Sequence, residues 1–196
     1  KEKAGIRPED YDEVYVLSVG CQLVYWVTRQ MELGLKNWLE ADLTKLFSLK
    51  RLAYGRRPLN LAYLMHLWRD VYPLDIDKLR AGHPVVKVLV TNCATGLVEA
   101  IDVRDVEDPF ALFTASQALV PFHAPVRLNG GLYMDPGLGQ ATDTFARIIA
   151  DAAEATVLLT WPRDARADRV PWWFPWAAFP VPWQGERREM MRAVST

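Results

Sequence analysis

Apolar and polar positions change period several times along the chain. Val14-Tyr15-Val16-Leu17 is an apolar, β-branched run that breaks at Ser18 and Gly20, after which Leu23, Val24, Trp26, Val27 and Met31 recur at helical spacing to about Leu35. This predicts a strand, a sharp turn and a core helix. A second helical region carries Trp38, Leu39, Leu43, Leu46 and Phe47 and stops at Gly55-Arg56-Arg57-Pro58. Asn60 is placed to cap a third helix through Leu64, Leu67 and Trp68, and Tyr72-Pro73-Leu74-Asp75 opens a short helix from Ile76 to Arg80. Val85 to Cys93 reads as a buried strand, Ala94-Thr95-Gly96 as a turn, and Val98 to Val103 as the return of a hairpin. Asp108 and Pro109 have N-cap and N1 chemistry for a helix reaching Ala115-Ser116-Gln117-Ala118. Prolines and glycines from Pro121 to Gly139 then make a succession of turns, followed by a helix from about Asp143 to Ala153 and a strand over Thr156 to Thr160. Trp26, Trp38 and Trp68 are expected in the core.

Alternation of helical and strand text argues an α/β fold, a layered sandwich in which helices flank a mainly parallel central sheet. Residues 1–162 form that domain and residues 163–196 a Trp/Pro-rich extension. Five of the eight tryptophans, Trp161, Trp172, Trp173, Trp176 and Trp183, lie among the prolines of the last segment, which excludes regular helix and central strand there. Trp172, Trp173 and Trp176 suit a lipid interface or a partner's groove, or else fold back over the core. At the other end, Lys1 to Gly5 reads as the last turn of a helix closed by Gly5, as though the chain begins inside a fold.

Composition narrows the function classes. With 196 residues, 51% hydrophobic and 24% charged, the chain can bury one sizeable core. A net charge of -1 supplies no global field toward nucleic acid, and the run Lys50-Arg51 with Arg56-Arg57 is short enough to be a solvated helix face. Cys21 and Cys93 are too few for a disulfide framework and lack metal spacing, so a reducing, cytoplasmic setting is expected, with neither metal nor cofactor. No run of about twenty apolar residues suggests a membrane span.

The chemistry concentrates at Ser18. A serine on a tight turn between strand and helix stands above the end of a sheet, with the amides of Val19 and Gly20 at the start of the next helix. Cys21 is a competing thiol nucleophile, but no base can be named for it, and a small buried residue is the simpler reading. The glycines from Gly130 to Gly139 follow no dinucleotide-binding spacing and have no adjacent phosphate-binding lysine.

Several motifs, in order, resemble those of patatin-like phospholipases, particularly the bacterial branch, over most of Ile6 to Pro162. Tyr11-Asp12-Glu13-Val14-Tyr15-Val16-Leu17-Ser18-Val19-Gly20-Cys21-Gln22-Leu23 is similar to the family's elbow, and Thr95-Gly96 to its hairpin after a central strand. Ala115-Ser116-Gln117-Ala118-Leu119-Val120-Pro121, with Pro125-Val126, resembles its Ala-Ser-x-Ala-x-Pro segment, and Gly130-Gly131-Leu132-Tyr133-Met134-Asp135-Pro136-Gly137 its aspartate segment. The resemblance implies hydrolysis of acyl-lipid esters by a serine–aspartate dyad, with Ser18 as nucleophile and Asp135 as base. Val19 and Gly20 would support the oxyanion, and Gly137 would lie in a loop near the site. His66, His83 and His123 are not required, although a Ser–His–Asp triad through His123 is an alternative, because His123 lies in the proline-rich loop.

Three departures from the pattern weigh against turnover. Val16 stands at the first elbow glycine, and Pro136 at the glycine after the aspartate. The glycine-rich loop that supplies most of the family's oxyanion hole would lie before Lys1, so these residues alone are expected to be a poor hydrolase. The alternative is a catalytically inactive, patatin-like scaffold that docks through its Trp/Pro-rich tail.

Overall fold

The computed structural model describes residues 5–139, 142–156 and 158. The Trp/Pro-rich tail, the boundary near residue 162, most of the strand expected over 156–160 and all but Gly5 of the opening turn lie outside the described residues. Gly5 itself holds a left-handed φ of 63°.

Among the described residues a mixed α/β fold is built on a five-stranded sheet. Its strands are β1 (Glu13–Val16), β2 (Val85–Asn92), β3 (Val98–Asp102), β4 (Val126–Leu128) and β5 (Gly131–Met134). Among the described residues only β1 and β2 pair in parallel; β2–β3, β2–β5 and β4–β5 are antiparallel, so the expected mainly parallel sheet is corrected to a mostly antiparallel one. The physical reason is that short turns at Thr95-Gly96 and Asn129-Gly130 join hairpins, while only the long helical excursion between β1 and β2 permits a parallel return. Gly96 and Gly130 hold φ of 73° and 84°, a region that a side chain disfavours.

β2 is the spine. Its Val86, Val88, Leu89 and Val90 are buried, and Val86, Val88 and Val90 pack with Val14 and Val16 of β1 and with Leu112 and Phe113 of the helix Pro109–Ser116. β3 covers Lys87 to Thr91 along one edge of β2. The opposite edge is shared end to end: β1 pairs along Val85 to Val88, and β5 along Thr91 and Asn92.

The helices depart from expectation in informative places. The helix expected from Cys21 to Leu35 is a 3-10 helix (Ser18–Leu23), then α1 (Val24–Val27), then α2 (Met31–Glu40). The break lies at Arg29, whose φ is 62°; there Thr28 Oγ1 donates to Val24 O and Gln30 N donates to Tyr25 O, so the local polar groups replace the helical ladder. Trp68 is fully buried and Trp26 packs against the core, but Trp38 is 59% exposed, which corrects its placement in the core. α3 spans Leu43–Leu46 and α4 spans Leu61–His66. Asn60 occupies the N-cap position of α4 without a side-chain cap bond, and its Nδ2 donates to Lys45 O at 3.1 Å. Asp75 does cap α5 (Ile76–Ala81), and Asp108 caps α6 (Pro109–Ser116), each accepting a backbone N–H. α7 spans Thr142–Asp151. Among the described residues no helix is long and apolar enough to cross a membrane.

Candidate functional site

The shared edge of β2 brings Ser18 and Asp135 together. β1 runs parallel to β2 and ends with Val16 opposite Val88, so counting on two residues places Ser18 at the level of Val90. β5 runs antiparallel and ends with Met134 opposite Thr91, so the next residue, Asp135, reaches the same level. Two strands approaching head-on along one edge therefore deliver both side chains to the gap between them. The Ser18 side chain lies close enough to the Asp135 carboxyl there to hold its pKa down in part.

The gap leaves β2 backbone without a strand partner, and a buried carbonyl in that position needs a donor. Ser116, fully buried at the end of α6, supplies it: its Oγ donates to Leu89 O at 2.8 Å and accepts Ser18 N–H at 2.9 Å. Ser18 is held at φ 47°, in the left-handed region, between extended Leu17 and the 3-10 helix that it begins. A non-glycine residue in that region costs about 1–2 kcal/mol, and here the hydrogen bond to Ser116 helps hold the strained turn. Val16, only 2% exposed, is accommodated in the core, so a branched residue at this position coexists with the sharp turn.

Asp135 is buried, and burial pushes its carboxyl above the usual carboxylate range. The nearby Ser18 side chain and the hydrogen bond from Gly137 N–H, at 2.8 Å to Oδ1, act in the opposite direction. The carboxyl is thus a stronger base than a solvated aspartate. Pro136 fits without disruption, because it is the first residue of the short 3-10 helix Pro136–Leu138, where its missing N–H is not needed and Asp135 serves as N-cap. Asp135 N donates to Ala118 O, and Thr91 Oγ1 donates to Asp135 O at 3.1 Å, which fixes the backbone on both sides of the carboxyl.

The two elbow amides differ. Gly20 N–H donates to Leu17 O at 2.8 Å, closing the turn, and this removes it from the expected pair of oxyanion donors. Val19 N–H has no partner among the described residues, and the Val19 side chain is exposed. His123 is placed elsewhere: its Nδ1 contacts Ala124 O at 2.6 Å, and the charges that act on it are those of Arg57 and Arg51. Among the described residues no hydrogen bond joins it to Ser18 or Asp135.

Cys21 lies against this site, buried and close enough to feel Ser116 and Asp135. Burial pushes its thiol up to about 12, which leaves it protonated and inert. Among the described residues no group of three or more His, Cys, Asp or Glu side chains is arranged to hold a metal ion.

Sequence reasoning did not identify Ser116 and Thr91 as supports of the site. Each had a visible signal, a polar residue at a position whose neighbours are buried: Thr91 ends the run Val88-Leu89-Val90, and Ser116 lies between buried Ala115 and Ala118. Compared with known proteins, the chain matches no family model and no curated protein. The likeness to patatin-like phospholipases rests on the residue patterns themselves.

Proposed function

We propose that this chain carries the centre of a serine acyl-ester hydrolase of patatin-like type, with a Ser18–Asp135 dyad. One observation carries the reading: a serine in left-handed conformation at a strand end, brought by the strand register to the same level as a buried carboxyl whose basicity is raised. In this mechanism Asp135 takes the proton from Ser18 Oγ as the oxygen attacks the ester carbonyl. The tetrahedral oxyanion develops beside Val19 N–H; the alcohol leaves with the proton returned by Asp135, and the acyl group stays on Ser18. Water activated by the same carboxylate then releases the acid. An acyl-lipid substrate follows from the family resemblance, and peripheral contact with a membrane or a partner from Trp172, Trp173 and Trp176.

Commitment of Gly20 N–H to Leu17 O favours a second reading, a scaffold without turnover, because loss of one oxyanion donor typically costs about 2.7–4 kcal/mol of transition-state stabilisation. Hydrolysis of p-nitrophenyl acyl esters separates the two. The dyad reading expects hydrolysis above buffer that is abolished in both Ser18→Ala and Asp135→Asn; a rate equal in wild type and Ser18→Ala contradicts it.

A further inference from the structure

The basic run that reads as a solvated surface in the sequence does something more specific in three dimensions. Arg51, Arg56, Arg57, Asn60 and His123 line a cleft of about 260 Å³ between the segment after α3 and the proline-rich loop after α6. Backbone hydrogen bonds stitch its walls together: Leu59 N donates to Phe122 O at 3.0 Å, Ser48 N to Pro58 O at 3.0 Å, and Arg56 N to Arg51 O at 3.0 Å. Two of the guanidiniums are positioned by carbonyls, since Arg51 Nε donates to Arg57 O at 2.9 Å and Arg57 donates to Pro121 O at 2.6 Å. Phe47 packs edge-on against Phe122 behind this contact.

Among the described residues no carboxylate neutralises the charge in the cleft. From Leu43 to Arg69 the chain has no acidic residue, and the same holds from Pro109 to Met134, so both walls come from acid-free segments of a protein whose net charge is -1. Arg69 pairs with Asp108 and Lys45 with Asp42, whereas no carboxylate pairs with Arg51, Arg56 or Arg57 among the described residues. Three guanidiniums held close together repel one another, and each presents a fork of donors matched to oxyanions. His123 adds a neutral donor or acceptor rather than a fourth charge, because burial and the neighbouring arginines hold its pKa down. A group carrying about two negative charges on several oxygens, as a phosphate monoester does at neutral pH, complements this arrangement better than a single carboxylate.

We infer that the cleft formed by Arg51, Arg56 and Arg57 with His123 is a binding site for a phosphate monoester group, separate from the Ser18–Asp135 centre. Leu59, Leu61 and Ala62 supply the apolar part of the cleft's lining. A phosphate borne on a lipid and a soluble phosphate share the recognition chemistry, and the experiment distinguishes them.

The full chain carrying Ser18→Ala, which cannot turn over a lipid by the proposed mechanism, is titrated with inorganic phosphate by calorimetry at constant ionic strength. In a parallel arm it is floated with phosphatidylcholine vesicles with or without phosphatidic acid. Saturable phosphate binding identifies a soluble ligand as sufficient, and flotation that requires phosphatidic acid identifies a lipid-borne one; either supports the site. Arg56→Glu, chosen because the Arg56 guanidinium makes no hydrogen bond to the described residues, is expected to weaken the observed binding by about tenfold or more. Lys36→Glu, an exposed charge reversal on α2, is expected to stay within about twofold. Absence of binding in both arms, an undiminished Arg56→Glu variant, or an equal loss in Lys36→Glu would overturn the inference. The outcome is independent of ester hydrolysis, so failure of the dyad reading leaves this one testable.

Discussion

The hydroxyl of Ser116 accepts the backbone N–H of Ser18 at 2.9 Å and donates to Leu89 O at 2.8 Å, tying the elbow to the central strand through a third element. Ser116→Ala strands both groups at once. Leaving a buried donor or acceptor unpaired costs about 1–3 kcal/mol, so the variant should unfold at lower urea and, under the proposed mechanism, hydrolyse esters more slowly than wild type. A denaturant midpoint equal to wild type would show that the bridge carries no weight.

Raised basicity at Asp135 has a consequence for stability. A carboxyl whose native pKa lies above its unfolded value, near 3.8, holds its proton more tightly when folded; its contribution is greatest in acid and falls as pH rises through the native pKa. At neutral pH the ionised side chain therefore opposes folding. Asp135→Asn, which keeps an acceptor for Gly137 N–H, should raise Tm at pH 7, and the gain should shrink below about pH 4 while hydrolysis stays absent. Thermal melts across pH test this, and a variant less stable than wild type at pH 7 would contradict it.

Gly139 lies against the support of the dyad. A Cβ there would come within 2.4 Å of Thr91 Oγ1 and 3.0 Å of Gly96 O, and Thr91 is the residue that bonds Asp135 O. Gly139→Ala should destabilise by about 1–3 kcal/mol and lower hydrolysis further than its stability loss explains. Chemical denaturation and assay of the same preparation separate the two effects.

Much of this arrangement was legible in the residues. The β-branched run into Ser18 and the Asp108-Pro109 cap depend on local chemistry, and each lies where local chemistry puts it. Strand direction was not legible, because Val, Ile and Leu runs look alike in parallel and antiparallel sheets when both faces are buried. The break at Arg29 was hidden for a related reason: apolar spacing continues through it, and the interruption comes from Thr28 and Gln30 bonding back to Val24 and Tyr25. Trp38 shows the converse, a large apolar side chain at helical spacing on a face that the fold leaves exposed. The arginine cleft depends on contact between segments some sixty residues apart, through Arg57 and Pro121, which no local pattern encodes.

Cys21 offers a control on the identity of the nucleophile. With its thiol pushed up to about 12 and no exposed surface, it should resist iodoacetamide in the native protein at pH 8 and react only on unfolding, while half-buried Cys93 reacts first. Peptide mapping after brief alkylation reads this directly. Rapid native alkylation of Cys21 would mean that the elbow opens and that its thiol competes with Ser18.

The most direct measurement on the dyad is covalent capture of the nucleophile. The full chain is treated with a fluorophosphonate probe, digested and mapped by mass spectrometry, with Ser18→Ala and Asp135→Asn in parallel. The account predicts a single phosphonylated peptide carrying the adduct on Ser18, no adduct in Ser18→Ala, and strongly slowed labelling in Asp135→Asn. An adduct on another serine, or none on Ser18 in a folded wild-type chain, would contradict it.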